Sequence, residues 1–447
     1  MKLLTQIKNY FSKNTKKEIF LYILTIIILS HFIKDIYIQY YFILFFTFLI
    51  VPIIFLYEKN YHKYFNNNLI FISFFIYLIS TVLVLIVSIY YLNRFEMSQS
   101  QLLIALGKYY ICPLMCIAFI ILIDKINQIK NLLFLYSFFI FIASVSIYIQ
   151  EIYGHISFFG ESYYHLPRYG KLGYSSITGS INSYGICFFI GIFVIYFLTK
   201  LNFFVKAILI SIIMIAALLV TSKSGFINIG LTLLILAIHS FIIKKWKVFV
   251  CCLGLLILSI VYVDIIYVTF LTLLANVTGI EFLPNTLGFS SEVIIQSSPD
   301  RPLTSSGRIY FSLLELAYER LIYTEQFWPD YFNSTDYYFG VGVYGGAGAF
   351  GTDSVSTHNS YFDTFIIGGW FHILTQIFLI LCVQVGLIYE ILKKNIDLTL
   401  MLFFSNCLVL FNLLFFNGGF YQPVIMFSFW LSIAFLILKK IKSKLFY

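Results

Sequence analysis

The sequence predicts an all-α membrane protein whose chain crosses a lipid bilayer about twelve times. Of its 447 residues, 60% are hydrophobic and only 11% are charged, whereas soluble domains carry about 25% charged residues. The mean hydropathy is +0.91. The apolar residues fall into repeated runs of about 20, which is the length of helix that crosses the hydrocarbon core of a bilayer. A chain of this composition is too apolar for a single water-soluble core.

The chain begins with five lysines before its first apolar run. This resembles the start of a signal peptide, but no small-residue cleavage site follows, so we expect an uncleaved first span. The seventh and eighth spans are separated only by the short turn TSKSG, residues 221–225. The predicted spans are 19–33, 36–57, 69–92, 102–123, 132–153, 181–199, 205–221, 225–243, 248–275, 366–392, 398–416 and 424–438.

The distribution of basic residues predicts which side of the membrane each loop faces. With a cytoplasmic N-terminus, 20 of the 29 lysines and arginines lie in inner segments and eight in outer segments. This asymmetry follows the positive-inside rule and places both termini in the cytoplasm. Because most basic residues flank apolar runs, the net charge of +9 indicates topology, and we expect no nucleic-acid partner.

Two of the predicted outer loops are long, residues 154–180 and residues 276–360. The second loop contains nine acidic residues, three arginines and no lysine. It divides the chain into nine spans (1–275), the loop itself (276–360) and three further spans (361–447). Within the loop, apolar residues at helical spacing predict an amphipathic helix over 308–322. The glycine run over 338–351 predicts a loop that needs positive φ or close backbone approach.

The cysteines give no sign of metal binding or disulfide formation. All seven lie in apolar runs, and the helical spacing of Cys112 and Cys116 is not completed by a third ligand. We therefore predict ordinary buried thiols. The positions are Cys112, Cys116, Cys187, Cys251, Cys252, Cys382 and Cys407.

Four residues at the predicted outer boundary of the membrane could bind an anion: Arg168, Lys223, Arg308 and His358. A cation near lipid needs an anionic partner, and phosphate suits the planar fork of arginine. Each residue also has a plainer interpretation. Arg168 could extend to the headgroups, and Lys223 could anchor a turn. Arg308 could pair with Glu315 on its own helix, and His358 could be a structural loop residue.

Three other polar residues lie in or near apolar runs. Lys108 is in the outer third of its span, where it either extends outward or joins the same pocket as the four cations. His372 and Asp264 are predicted to be packing or interface residues. These assignments follow from position alone, because no nearby residue completes a recognisable site.

Four short motifs of charged, amide and glycine residues follow one another along the chain. They are Arg168 with Gly179, Asn182 and Gly185; Ser222–Lys223–Ser224–Gly225; Gly307–Arg308; and His358–Asn359–Ser360–Tyr361 with Gly368 and Gly369. Their order and the predicted topology resemble those of the O-antigen polymerase and ligase superfamily of bacterial membrane glycosyltransferases. The resemblance covers the whole architecture and implies a GT-C-like fold. It departs at Lys223, where the family commonly has arginine, because lysine keeps the charge but loses bidentate geometry.

The resemblance implies attack by a sugar hydroxyl on the anomeric carbon of a sugar linked to undecaprenyl pyrophosphate. His358 and Arg308 are then the expected catalytic residues, with His358 as the general base. Asp35 is a rival base, although an ion pair with Lys34 is the plainer interpretation. The outer loops contain no Asp-x-Asp pair, so we expect neither a divalent metal nor a cofactor. The residues expected to bind pyrophosphate or glycan are Arg168, Lys223, Arg301, Asn359, Tyr361 and Asn182.

These expectations describe a polymerase of surface-polysaccharide repeat units on the outer face of a bacterial inner membrane. Its expected partners are lipid-linked donor and acceptor glycans and membrane lipid, with a chain-length regulator as a further candidate. A ligase that moves finished glycan to lipid A–core would use the same chemistry. The richness in Ile, Phe, Tyr, Lys and Asn suggests an AT-rich gene. Polysaccharide gene clusters are often AT-rich, which favours the polymerase. A transporter or flippase is disfavoured by the large outer loop and by the absence of paired interrupted spans.

Overall fold

A computed structural model describes residues 13–29, 69–90, 99–153, 167–168, 171–172, 176–177, 181–220, 223–261, 338–343, 359–393, 396–415 and 419–441. The predicted second span, most of the outer loop 276–360 and the amphipathic helix 308–322 lie outside these residues. The described part is helical apart from short connecting segments and a two-residue antiparallel ladder in which Arg168 pairs with Lys171. All-α architecture is therefore confirmed for the described residues.

The described elements follow the chain in this order. They are α1 (Lys13–Leu29), α2 (Leu69–Tyr90), α3 (Gln99–Leu122), α4 (Ile126–Tyr153), β1 (Pro167–Arg168), β2 (Lys171–Leu172), α5 (Ile181–Phe193), α6 (Phe203–Leu219), α7 (Lys223–Ile242), α8 (Trp246–Val261), α9 (Ser360–Leu392), α10 (Ile396–Asn412) and α11 (Phe427–Ile441). A π-helical turn, Val194–Leu198, continues α5, and 3-10 turns at Leu413–Phe415 and Gly419–Tyr421 follow α10.

Each predicted span that falls on described residues coincides with a helix, because long apolar runs satisfy their backbone groups best within one helix. Three helices, α1, α4 and α9, begin six residues before the start predicted for their spans. At the tenth span the predicted start is residue 366, whereas α9 begins at Ser360 and is broken at Gly369. Hydropathy missed the first turns because they contain polar residues, including Asp363 and Thr364.

Three of the described helices are long and apolar enough to cross a membrane. They are Leu69–Tyr90, Ile126–Tyr153 and Ser360–Leu392, and shorter apolar helices accompany them. The helix α2 also reverses the pattern of a soluble protein, because its outer face is apolar and its small polar side chains are buried. Its exposed residues are Leu69, Ile72, Phe75, Ile79, Val82, Ile86, Ile89 and Tyr90. Its buried residues are Ser73, Phe74, Tyr77, Ser80, Thr81, Val84 and Ser88.

The same inversion occurs on α9, whose exposed side chains include Leu374, Leu381 and Val385, while His372 and Gln376 are buried. Apolar groups outside and small or polar groups between helices are typical of membrane bundles, because lipid does not drive apolar faces together. The chain is a membrane protein. Five of the seven cysteines are buried as predicted, whereas Cys407 is half-buried and Cys251 is exposed, since its face of α8 is an apolar outer surface.

The chain forms two compact units. The first contains Met1–His31, Ile36–Tyr136 and Leu316–Tyr447. Within it, α2 runs antiparallel to α9, because Ser80 contacts His372 and an added Cβ on Gly386 would meet Ile70.

Two further contacts organise the first unit. The Trp430 ring packs against the Tyr77 and Phe420 rings, with centroids 5.9 and 5.5 Å away. Lys439 forms a buried ion pair with Glu390. Because Glu390 lies in the last turn of α9 and Lys439 in the last turn of α11, the two helices run parallel and end at the same level.

The second unit contains Phe32–Asp35 and Ser137–Glu315. In this unit α5 packs on α6 and α7, and α7 pairs with α8. The Tyr184 hydroxyl joins three helices, since it lies 2.6 Å from Ser144 Oγ and donates to the Ile213 carbonyl at 3.2 Å. Gly191 allows α5 to approach α4 closely, because a Cβ there would lie 3.0 Å from Ile140 Cγ2.

Candidate functional site

The start of α9 is fixed by a side-chain cap. Asn359 has extended backbone angles, and its Oδ1 accepts from the N–H groups of Tyr361 and Phe362 at 3.0 and 3.2 Å. These N–H groups have no partner within the helix, so the cap satisfies them. Asp363, in the same turn, places an acidic residue where the helix dipole favours it. His358 is the residue that precedes this cap in the chain, and it lies outside the described residues.

The first limb of α9, residues 360–368, is tied to its surroundings by two tyrosines. The Tyr361 hydroxyl donates to the Leu410 carbonyl of α10 at 3.1 Å. The Tyr421 hydroxyl donates to Thr364 Oγ1 at 2.9 Å. Burial raises the pKa of Tyr421, so its hydroxyl keeps the proton that it donates. These two bonds hold the first limb of α9, and with it Asn359, against neighbouring parts of the chain.

The limb ends at a true break in the helix. Gly369 has φ 65° and ψ −166°, a combination that essentially only glycine adopts. In place of intrahelical partners, the Ile366 and Ile367 carbonyls accept from the N–H groups of Val341 and Gly342 at 3.0 and 2.9 Å. Residues 338–343, which we call the glycine segment, thus replace the missing turn. This satisfies the backbone that a break in an apolar helix would otherwise leave unpaired.

The glycine segment is also bonded to α2. Ser88 Oγ donates to the Val84 carbonyl of its own helix at 2.6 Å and accepts from the Val343 N–H at 2.9 Å. Gly342 has φ +83°, and a Cβ there would lie 2.6 Å from Ser88 Cα. The segment therefore fits only with hydrogen at this position.

One turn beyond the break, His372 connects three helices. Its Nδ1 lies 2.8 Å from Ser80 Oγ on α2, and its Nε2 lies 2.6 Å from the Tyr109 hydroxyl on α3. Ser80 donates its own hydrogen to the Tyr77 carbonyl at 2.6 Å. It must then accept from His372, which assigns the proton to Nδ1 and leaves Nε2 to accept from Tyr109. The predicted packing role of His372 agrees with this buried, neutral arrangement.

This network makes a prediction about stability. Tyr109→Phe keeps the ring but leaves His372 Nε2 without a donor, so we expect a loss of about 1–2 kcal/mol in unfolding free energy. The measurement is reversible unfolding in detergent. Tyr361→Phe is a matched control, since it removes an equivalent hydroxyl whose acceptor is a helix-end carbonyl. Equal stability of Tyr109→Phe and the unmodified protein would contradict the assigned donor.

The second unit holds three other predicted site residues, of which the structure describes the backbone. Arg168 lies in β1, Asn182 is the second residue of α5, and Lys223 is the first residue of α7. Lys108 lies within α3, and its two interpretations both stay open. Arg301, Arg308, Asp35, Asp264 and His358 lie outside the described residues, and the convergence of the cations on one pocket remains a prediction.

Several organising residues were not predicted. Asn228, buried in α7, donates from Nδ2 to the Gly185 carbonyl at 2.7 Å, so it holds the glycine of the Asn182 motif. Ser80 and Tyr109 bond to His372 in the second limb of α9, and Ser88 bonds to the glycine segment. The available signal in α2 was the recurrence of small polar residues every seven or eight positions, two helical turns apart, within an apolar run, which marks its protein-facing side.

Among the described residues, no group of three or more His, Cys, Asp and Glu side chains could hold a metal ion.

The chain matches no protein-family model, no curated protein and no solved structure. The functional assignment therefore depends on the motifs and on the geometry around α9.

Proposed function

We propose that this protein is a membrane glycosyltransferase that joins oligosaccharide repeat units carried on undecaprenyl pyrophosphate. In this proposal the chain has twelve spans, cytoplasmic termini and one large outer loop, 276–360, in a bacterial inner membrane. The observation that carries it is the capped and doubly tied start of α9. It fixes Asn359, the residue that follows His358 in the chain, at the start of a membrane helix.

The chemistry suits a junction of this kind. The reactive bond of a lipid-linked sugar lies at the headgroup layer, so its general base must be held at that depth. His358 accepts the proton of the attacking sugar hydroxyl as the new glycosidic bond forms. The bond between the anomeric carbon and the pyrophosphate breaks, and Arg308 stabilises the charge on the leaving group. Arg168, Arg301 and Lys223 are proposed to bind the same pyrophosphate, with Asn182 near the glycan.

Two of the proposed glycan ligands also have structural partners. Asn359 uses its Oδ1 to cap α9, and Tyr361 uses its hydroxyl to bind α10. The Tyr361 hydroxyl can then only accept a hydrogen bond from a sugar, since its hydrogen is donated to the Leu410 carbonyl, and its ring can pack against one. Aromatic faces pack against sugar rings, so Tyr361 is compatible with a role in binding the acceptor glycan.

The break in α9 bears on the transporter alternative, since transporters bind substrate at interrupted helices near the middle of the bilayer. The limb after the break, residues 370–392, contains 23 residues and extends roughly 34 Å. That length alone crosses a hydrocarbon core of about 30 Å. The break therefore belongs at one end of the span, which favours an enzyme site at the membrane boundary.

The test of function uses purified protein in detergent with lipid-linked repeat units and follows chain length on a gel. Polymerisation should extend the chains without other proteins. Transfer of preformed polymer to lipid A–core, without extension, would instead identify a ligase. In a deletion strain, single capped repeats identify loss of a polymerase, free lipid-linked polymer identifies loss of a ligase, and the lack of outer-face repeats identifies loss of a flippase.

The pyrophosphate role of Arg308 gives a separate prediction. Arg308→Ala should leave the protein inserted but stop chain growth, because the leaving group loses a charge-assisted partner. Arg308→Lys should restore only part of the rate, since lysine cannot bind phosphate oxygens bidentately. Arg320→Ala, on the same predicted loop, is the control. Normal chain growth by Arg308→Ala would exclude Arg308 as a ligand of the pyrophosphate.

A further inference from the structure

Five lysines lie around two turns of the second unit. Two of them belong to the connection from α5 to α6 and to the first turn of α6, and three belong to the turn that joins α7 to α8. Between residues 162 and 263 the chain contains no aspartate or glutamate, so these four helices supply no carboxylate to the lysines. We call the five lysines the basic face: Lys200, Lys206, Lys244, Lys245 and Lys247.

Tyr196, in the π-helical turn that continues α5, connects the two turns. Its carbonyl accepts from Lys206 Nζ at 2.9 Å. Its hydroxyl lies 2.9 Å from Ser240 Oγ, which is four residues before Lys244 in the chain. The lysines of both turns therefore lie at the same end of the unit, which is the end predicted to face the cytoplasm.

Aromatic rings surround the turn between α7 and α8. The Trp246 ring contacts the Phe241 and Phe249 rings, with centroids 5.3 and 5.9 Å away. The Trp246 and Phe241 side chains are both more than half exposed. Exposed tryptophan beside lysine is typical of the boundary between hydrocarbon and headgroups, because the indole is apolar with one polar edge. This pattern indicates that the turn lies at the depth of the lipid phosphates.

The stability of the helices does not explain the three lysines of this turn. The Lys244 N–H donates to the Phe241 carbonyl at 3.0 Å, and the Lys245 N–H donates to the Ser240 carbonyl at 2.9 Å, the Schellman pattern of a helix end. Lys244 has φ 58°, where glycine is preferred because a Cβ crowds the backbone. Lys245 and Lys247 lie at the start of α8, where the helix dipole disfavours cations. Residues kept at a cost to the fold indicate a function.

From these observations we propose that the basic face binds the headgroup phosphates of anionic phospholipids. The proposal goes beyond glycosyl transfer and does not depend on it. Clusters of basic residues next to membrane helices are typical of sites for acidic lipids. Lysine suits a mobile lipid, because its ammonium group pairs with phosphate as a point charge and needs no fixed geometry. Zwitterionic lipids carry a phosphate whose charge is cancelled, so the basic face should discriminate against them.

Two variants separate lipid binding from stability. Lys244→Gly removes one charge and relieves the backbone strain, so it should weaken lipid binding without lowering the unfolding temperature in uncharged detergent. A lower unfolding temperature would mean that Lys244 serves the fold, which contradicts its proposed role. Lys245→Gln/Lys247→Gln removes two charges and keeps the backbone. The matched control, Lys125→Gln/Lys130→Gln, removes two lysines at the predicted cytoplasmic end of α4, beside Asp124.

The experiment uses brominated lipids, which quench tryptophan fluorescence on contact. Purified protein is reconstituted in mixed bilayers of phosphatidylcholine and phosphatidylglycerol, with one or the other lipid brominated. The share of quenching that Trp246→Phe removes reports the lipid at the basic face. We expect phosphatidylglycerol to be preferred at least about threefold, since several lysines attract its net charge. The preference should disappear in Lys245→Gln/Lys247→Gln and persist in the control.

Three results would overturn the proposal. The first is equal quenching of Trp246 by the two lipids in the unmodified protein. The second is a preference that survives in Lys245→Gln/Lys247→Gln, and the third is an equal loss in the control, since net charge alone would then explain it. Inorganic phosphate should weaken the preference no more than sodium chloride of equal ionic strength, because both only screen surface charge. A larger effect would identify soluble phosphate as the ligand and reject the lipid.

Discussion

Replacing His358 with alanine should abolish chain elongation while leaving expression and membrane insertion unchanged. A positioned general base contributes roughly 10²–10⁴-fold to the rate, and alanine cannot accept the proton of the attacking hydroxyl. Insertion should not suffer, because the helix that follows is capped by Asn359 and not by His358. The measurement is elongation of lipid-linked repeats by purified protein, with polymer length followed on a gel.

Three controls make the His358 result specific. His62→Ala removes a histidine from a predicted inner loop and should have no effect on elongation. EDTA should not reproduce the defect in the unmodified protein, because the proposed mechanism uses cationic side chains where other enzymes use a metal. Acidification should slow the unmodified enzyme, because a protonated imidazole cannot act as a base. Elongation by His358→Ala at nearly the normal rate would place the base elsewhere, with Asp35 as the next candidate.

Gly369→Ala should have the largest effect on stability of any single methyl addition in α9. The substitution forces alanine into backbone angles that L residues rarely adopt, and its Cβ would overlap the Tyr338 carbonyl. Relief of that overlap displaces the glycine segment and leaves two α9 carbonyls without partners. We expect the unfolding free energy to fall by at least about 3 kcal/mol, measured by unfolding in detergent.

The control for Gly369 lies on the same helix. Gly386→Ala brings a Cβ to 2.8 Å from Ile70 Cδ1, which is the end of a flexible side chain and can rotate away. Its cost should stay within about 1 kcal/mol, partly offset by the better helix propensity of alanine. If the two variants unfold alike, the break at Gly369 is not a feature of the folded protein.

The positions of the helices could be predicted from the sequence because their cause is local. A long apolar run in lipid satisfies its backbone only within a helix, and that condition is visible residue by residue. The break in α9 was not predictable in the same way. Gly368 and Gly369 were recognised as part of a motif, but glycine adopts both signs of φ. Only the partner that fills the gap, the glycine segment, determines that the helix is interrupted.

The candidate site shows the same difference between features with local causes and features that depend on distant partners. The cap was not predicted, because hydropathy placed the start of the span at residue 366, although Asn359 directly precedes the turn that contains Asp363, a pattern typical of a helix start. The contacts of the glycine segment and of His372 were not predictable, because their partners come from distant parts of the chain. Ser88 is 255 residues from Val343, and Tyr109 is 263 residues from His372. Contacts at such separations depend on which helix faces pack together, and a single sequence does not specify that.

The hydroxyl groups of α2 bear on the order in which the protein is made. Ser73, Ser80, Thr81 and Ser88 each donate to a carbonyl of their own helix. Their hydrogens are therefore satisfied before any neighbour exists, and α2 can enter the bilayer while the ribosome has still to synthesise α9. His372 has no equivalent bond to its own helix among its described side-chain contacts, and its partners on α2 and α3 are already in place when it arrives. The early helices thus provide hydrogen-bond partners, an acceptor in Ser80 and a donor in Tyr109, with which the later part of the chain pairs.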